Sequence, residues 1–187
     1  MHNNKTDKAM LGTSGYERVE HDLYETPAWC TEVLLRHVVF QKIIYEPAAG
    51  RGAIARVLEL HNHQTICHDL VVRDYQPCAQ TDFFHVKSTQ KHFDIVTNPP
   101  YECSVQFVRH ALAITGPGQK VAMLLRNEWD CAYTRRDLFM EMPFRLKIVL
   151  TRRPKWFKDD INAPRHSFSW YVWDHNWYSP PELIYDQ

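Results

Sequence analysis

The chain has 187 residues, 44% of them hydrophobic and 13% aromatic, enough to bury one core and too few for two ordinary domains. Its 22 Lys and Arg balance 22 Asp and Glu, which excludes a histone-like coat of nucleic acid and confines any polyanion contact to a local patch. No apolar run approaches the roughly 18 residues of a membrane span, and the polar start (MHNNKTDKAM) lacks a signal-peptide core, so a soluble cytoplasmic protein without a membrane partner is expected.

In chain order, residues 1–22 are polar, lack apolar periodicity and read as a mobile arm, and 23–187 read as one domain. Beyond Pro27, the residues Trp29, Val33, Leu34, His37 and Val38 recur at helical spacing, with Thr26 as the expected N-cap and Pro27 as the first helical residue. Residues 42–47 form a short apolar strand, 52–63 a helix, 65–72 a strand, and 81–84 a short strand or its exit loop. The apolar run from Phe93 is a strand stopped by Pro99 and Pro100, and 105–115 is a helix closed by Gly116, Pro117 and Gly118. A strand at 121–127, a helix at 133–142 and strands at 145–153 and 166–177 complete the pattern. Strands alternating with helices imply one α/β domain, a mostly parallel sheet with helices on both faces. No helix separates the last two strands, which read as an antiparallel pair at one edge.

The five cysteines contain no C-x-x-C pair, which fits a reducing compartment. His61, His63, Cys67 and His68 lie close in sequence, but their spacing matches no metal-ligand frame; they read as a turn and a strand, and no metal is expected.

Two stretches carry chemistry. Residues 46–52 (Glu-Pro-Ala-Ala-Gly-Arg-Gly) fall where the first strand hands over to a helix, whose N-terminus offers free N–H groups, and small residues there let a ligand approach the backbone. Asp69, about twenty residues beyond Gly50, is placed where doubly wound folds put a carboxylate facing a ribose. Asn98, Pro99, Pro100 and Tyr101 end a strand at the same edge. The Asn98 side-chain oxygen and the Pro99 carbonyl are two acceptors facing one point, as an amino group becoming a nucleophile requires, and Tyr101 beside them offers a stacking surface.

These residues resemble a family. The 46–52 segment is similar to the S-adenosylmethionine-binding motif, and Asn98, Pro99, Pro100 and Tyr101 to the catalytic tetrapeptide, of class I amino-methyltransferases of the N6-adenine type. Tyr24, Glu25, Thr26 and Pro27 resemble the T-P segment of such enzymes, and Asp82, Phe83 and Phe84 their acidic-aromatic motif. The motif order is that of the γ arrangement of DNA adenine methyltransferases, with no separate target-recognition domain. The resemblance implies a Rossmann-like class I methyltransferase fold and S-adenosylmethionine as cofactor. It implies that Glu46, Pro47, Ala48, Gly50 and Gly52 shape the cofactor pocket, that Tyr24, Thr26 and Pro27 close its methionine side, that Asp69 holds the ribose, and that Asp82 and Phe83 read the adenine. Asn98, which borders the cofactor too, and the Pro99 carbonyl would accept hydrogens from the adenine amine of an extruded base stacked on Tyr101.

Two basic groups are expected to hold nucleic acid, DNA in preference to RNA. One is Arg126, Arg135 and Arg136 with Trp129; the other is Arg152, Arg153, Lys155 and Lys158 with Trp156 and Phe157. Arg145 and Lys147 read as a solvated strand face, and Trp170, Trp173 and Trp177 as packing. A homodimer or a separate recognition partner is a possible source of site choice. The same tetrapeptide also occurs in RNA adenine methyltransferases and in protein glutamine methyltransferases, and a non-catalytic partner subunit of this fold is a further alternative.

Overall fold

The computed structural model describes residues 24–87, 92–156 and 165–186. The arm expected at 1–22, and the Phe157 and Lys158 part of the second basic group, lie outside the described residues.

The elements run α1 (Ala28–His37), β1 (Ile43–Glu46), α2 (Ala53–Leu60), β2 (Gln64–Asp69), β3 (Cys78–Gln80), β4 (Asp94–Thr97), α3 (Ser104–Ile114), β5 (Lys120–Arg126), α4 (Asp137–Met140), β6 (Phe144–Val149), β7 (Phe168–Asp174) and β8 (Glu182–Tyr185). They build one eight-stranded sheet in the order β3-β2-β1-β4-β5-β7-β6-β8. All neighbours are parallel except at β7, which runs antiparallel to both β5 and β6.

Period-two alternation along the strands builds two cores. Ile44, Val96, Ala122, Leu124, Trp170 and Val172 meet α1 and α2 through Cys30, Val33, Leu34, Ile54 and Leu58. Their sequence neighbours Tyr45, Ile95, Val121, Met123, Tyr171 and Trp173 point the other way, against Phe107, Val108, Ala111 and Leu112 of α3 and Leu138 of α4. Helices therefore cover both faces, as the alternation of elements implies.

The local differences have physical causes. Pro27, not Thr26, is the N-cap of α1, and no side chain caps that helix; the Thr26 hydroxyl faces Asn98 instead. Of the short strand or exit loop expected at 81–84 the exit loop forms: β3 ends at Gln80, and 83–85 make a 3-10 turn in which the Asp82 carboxylate accepts the Phe84 N–H at 2.9 Å and tightens the chain. The expected helix at 133–142 is a 3-10 turn over Tyr133–Arg135 followed by the single α-turn of α4. The antiparallel pairing of the last two expected strands forms as β6 and β7, with β7 seated between β5 and β6, so that all seven of its residues are buried. Beyond it, β8 extends the sheet parallel to β6 and leaves Leu183 and Tyr185 exposed. Among the described residues no helix is long and apolar enough to cross a membrane.

Candidate functional site

Strand β1 lies between β2 and β4, so connections leave β1 and β4 on opposite faces of the sheet, which opens a crevice at their C-terminal ends. A cleft of ≈ 550 Å³ occupies this position. Its floor is the turn after β1. Gly50 (φ 55°) and Gly52 (φ 75°) adopt the left-handed conformation that glycine takes without penalty. Asp69, at the end of β2, accepts the Gly50 N–H at 2.7 Å on one carboxylate oxygen and the Val71 N–H at 2.9 Å on the other. The carboxylate thereby ties the turn to the neighbouring strand while keeping lone pairs for a ligand hydroxyl.

Glu46 closes the floor. It is 2% exposed, its Oε2 has no hydrogen-bond partner, and it lines the cleft. Burial pushes its carboxyl well above the usual carboxylate range; the Ala55 N–H opposes this, and the charges of Asp69 and Glu59 add to it. The opposite wall is aromatic. Phe83 packs on Phe107 at 4.8 Å and on His110 at 4.7 Å, and half-exposed Phe84 lies 5.3 Å from Phe107.

Asn98 follows β4 at the same edge. Its Nδ2 donates to the Tyr24 carbonyl at 3.4 Å and to the Thr26 hydroxyl at 3.2 Å, and its Oδ1 is buried without a protein partner. Tyr101 stacks on Tyr24 (ring centroids 5.6 Å apart, 26° between planes) and packs on Phe168 at 5.7 Å. Trp156 completes the group, 5.8 Å from Tyr24 and 4.9 Å from Phe168, so four aromatic rings close a circuit beside Asn98.

The cleft gathers Tyr24, Thr26, Glu46, Pro47, Ala48, Gly50, Asp69, Asp82, Phe83, Asn98 and Pro100 among its walls. Pro27, Gly52, Pro99 and Tyr101 are not among them. Gly52 has a packing reason of its own: a Cβ there would lie 2.6 Å from the Tyr75 ring. Leu70, Val71 and Arg73 also line the cleft and were missed. The apolar pair directly after a strand-end aspartate was their signal.

The basic groups divide. Trp129 is 6% exposed, and its indole N–H donates to Ser104 Oγ at 3.0 Å, so it packs in the core and carries Arg135 at 4.7 Å over its ring. Trp156 belongs to the four-ring circuit, and Arg152 lies 5.2 Å over the Trp29 ring. Arg126, Arg136, Arg152, Arg153 and Lys155 are exposed. Because β6 is parallel to β5 and both to β4, the residues after Arg126 and after Val149 emerge at the edge that carries Asn98. His166, at the start of β7, joins them: burial, then the charges of Arg126, Arg165 and Arg153, hold its pKa below the ordinary histidine value against the pull of Glu128. Arg145 pairs with Asp174 at 3.1 Å and Lys147 with Asp130 at 2.7 Å, so both serve the strands rather than solvent alone.

Among the described residues no three His, Cys, Asp or Glu side chains gather as metal ligands. His61 reaches Glu32 at 2.7 Å, His63 the Gln41 carbonyl at 2.8 Å, and His68 the Tyr45 hydroxyl at 3.0 Å.

No protein-family model and no curated protein matches the sequence. Solved structures do match in shape. A predicted O-methyltransferase from Agrobacterium tumefaciens is 15% identical with a TM-score of 0.54, over 85% of this chain and 84% of that one. The 23S rRNA methyltransferase ErmE is 14% identical with a TM-score of 0.59, over 85% and 71%. The M protein of the type I restriction enzyme EcoKI is 11% identical with a TM-score of 0.55, over 81% of this chain and 44% of that one, so the present chain spans less than half of its length. The chain therefore has the Rossmann-like fold of these methyltransferases.

Proposed function

We propose that the protein is an S-adenosylmethionine-dependent methyltransferase acting on the N6 amino group of adenine in nucleic acid, DNA in preference to RNA, within a single domain spanning 23–187. The observation that carries this reading is Asn98: a half-buried amide whose buried oxygen has no protein partner, at the rim of a cleft and beside an aromatic cluster. A buried acceptor left without a donor costs on the order of 1–3 kcal/mol, and a substrate N–H that satisfies it recovers that cost.

The cleft fits the cofactor in size and in donor set. Its ≈ 550 Å³ falls within the range of small-molecule sites. Asp69 retains acceptor capacity for a ribose, Leu70, Val71 and Phe84 offer apolar walls for an adenine, and the unpartnered Oε2 of Glu46 would meet the ammonium of the methionine end. When bound there, S-adenosylmethionine would supply a methyl group already activated on sulfonium. The chain then has to position and polarise the acceptor. Asn98 Oδ1 and the Pro99 carbonyl would accept hydrogen bonds from the two amine N–H groups and turn the nitrogen lone pair toward the cleft. Tyr101 would stack on the extruded base, a contact worth about 1–3 kcal/mol. For the base to lie on the ring face that Tyr24 now covers, Tyr24 would have to move aside. Arg126, Arg152, Arg153 and Lys155, at the same edge, would hold phosphates, and His166 extends this group.

The test is incubation with labelled S-adenosylmethionine and separate DNA, RNA and protein pools, followed by identification of the methylated atom. Label on adenine N6 in DNA is expected. Label confined to RNA or to glutamine amides would replace the substrate, and equal labelling by the Asn98→Ala variant would remove the mechanism.

A further inference from the structure

The Asn98 amide has two possible orientations, and its surroundings choose one. Its outer end faces the Tyr24 carbonyl oxygen at 3.4 Å and Thr26 Oγ1 at 3.2 Å. A backbone carbonyl can only accept, so the end of the amide facing it must be the NH2 group. The oxygen is thereby turned the other way, where it is buried without a protein partner. Pro99 restricts the backbone of Asn98 to extended conformations, so the remaining freedom lies in the side-chain torsions. Those torsions are set by the two acceptors, of which the Thr26 hydroxyl is the closer and the only one that substitution can remove. Thr26 is 5% exposed, caps no helix end with its side chain, and enters α1 just ahead of the Pro27 N-cap.

We infer that Thr26 is a positioning residue for Asn98: its hydroxyl accepts the amide N–H and fixes the amide with its oxygen toward the target amine. This rests on the proposed reaction, and it gives Thr26 a task distinct from contact with the cofactor. With the hydroxyl gone, only the longer contact to the Tyr24 carbonyl still favours this orientation, and the amide spends part of its time turned over, presenting two donors to an amine that is itself a donor, which opposes the geometry that transfer needs.

Thr26→Val removes the acceptor at nearly constant volume, and Thr26→Ser keeps it. At saturating cofactor and DNA, Thr26→Val is expected to lower kcat by about 10- to 100-fold. Its Kd for S-adenosylmethionine should stay within about threefold of the parent, a change of roughly 0.65 kcal/mol, while Thr26→Ser should retain most of the turnover. A second readout needs neither substrate nor cofactor. The side-chain 15NH2 signals of Asn98, assigned by their loss in Asn98→Ala, should move and exchange faster with solvent in Thr26→Val and stay in place in Thr26→Ser. Unchanged amide signals together with unchanged turnover in Thr26→Val would overturn the inference. So would a large loss of cofactor affinity with kcat intact, which would put the hydroxyl on the cofactor. Parent protein that methylates no nucleic acid would defeat the proposed function instead, and the amide signals would still decide the orientation of Asn98.

Discussion

Around β5 to β8 the indole N–H groups and the Tyr171 hydroxyl end on protein, whereas at the ends of β1 and β4 two cleft-lining residues each keep a buried polar atom that ends on nothing. Trp170 Nε1 donates to the Cys30 carbonyl at 2.7 Å, Trp173 Nε1 to Leu138 at 2.8 Å and Trp129 Nε1 to Ser104 Oγ at 3.0 Å. The Tyr171 hydroxyl reaches the Asn127 carbonyl at 2.8 Å. Against these stand Glu46 Oε2 and Asn98 Oδ1, buried, unpartnered and beside the cleft. The aromatic tips of the first region are satisfied by its own packing. The second keeps groups whose desolvation is compensated only when something else arrives. One domain thus separates a half that holds the sheet from a half held ready for a ligand, and substitutions should divide in the same way.

The largest expected effect belongs to the satisfied half. Trp170→Ala removes a fully buried ring together with its indole donation to the Cys30 carbonyl, so it should cost about 3–5 kcal/mol in denaturant unfolding. Variant protein that remains folded should bind cofactor as the parent does. A loss under about 1 kcal/mol, within the range of ordinary surface substitutions, would erase the contrast between the halves.

Asn98→Ala should do the reverse. Stability should fall by only about 1–2 kcal/mol, because the oxygen it deletes makes no bond in the protein and the amide's two donations, to the Tyr24 carbonyl and the Thr26 hydroxyl, are long. Transfer should drop at least about 100-fold, the scale for losing a positioned polar group in a transition state, with cofactor affinity nearly intact. Retained turnover in the purified variant would assign Asn98 to structure and move the site elsewhere.

Glu46 sharpens the comparison through pH. Its folded carboxyl is raised by burial while the unfolded one titrates in the usual range, so above the unfolded value the native chain holds a proton that the unfolded chain has released. Stability should therefore decline as pH rises from about 4.5 toward the folded value. Glu46→Gln has no such proton to lose. Without ligand, its melting temperature relative to the parent should be higher at pH 8 than at pH 5, while its affinity for S-adenosylmethionine should be lower. Parallel melting profiles for the two proteins would show that the buried acid costs the fold nothing.

The same division explains what could be read from residues alone. Strands with a simple apolar period, β1, β4 and β5, were legible, as were the turn at 46–52 and Asn98 at a strand end, because local chemistry decides them. Pairing was not. Nothing in 166–177 says that β7 will enter between β5 and β6, and β8, with Glu182, Leu183 and Tyr185 exposed, lacks the buried face that announces a strand. Thr26 looked like a helix cap because its partner, Asn98, is 72 residues away. Trp129 and Trp156 looked like part of a nucleic-acid surface because basic residues flank them; only tertiary contact shows Trp129 on Ser104 and Trp156 on Phe168. Residues whose role is set by a distant neighbour are the ones a linear reading assigns least well.

The smallest effects concern charge at the candidate nucleic-acid edge, and they test whether the ligand-ready half extends to it. If Arg152, Arg153 and Lys155 each hold a phosphate, replacing all three by alanine should weaken DNA binding about uniformly across sequences and flatten the slope of log affinity against log salt by up to about 3 units. Arg126→Ala alone should flatten it by about 0.9, the counterion released at one contact. Arg145→Ala supplies the internal control. Arg145 is bound to Asp174 at 3.1 Å and lies 4.8 Å over the Trp177 ring, so its loss should appear in stability and leave the salt slope unchanged. Equal slopes for Arg126→Ala and the parent, or a flattened slope for Arg145→Ala, would mean that polyanion contact does not follow the sheet edge that carries Asn98. The site would then consist of the cleft without the basic rim.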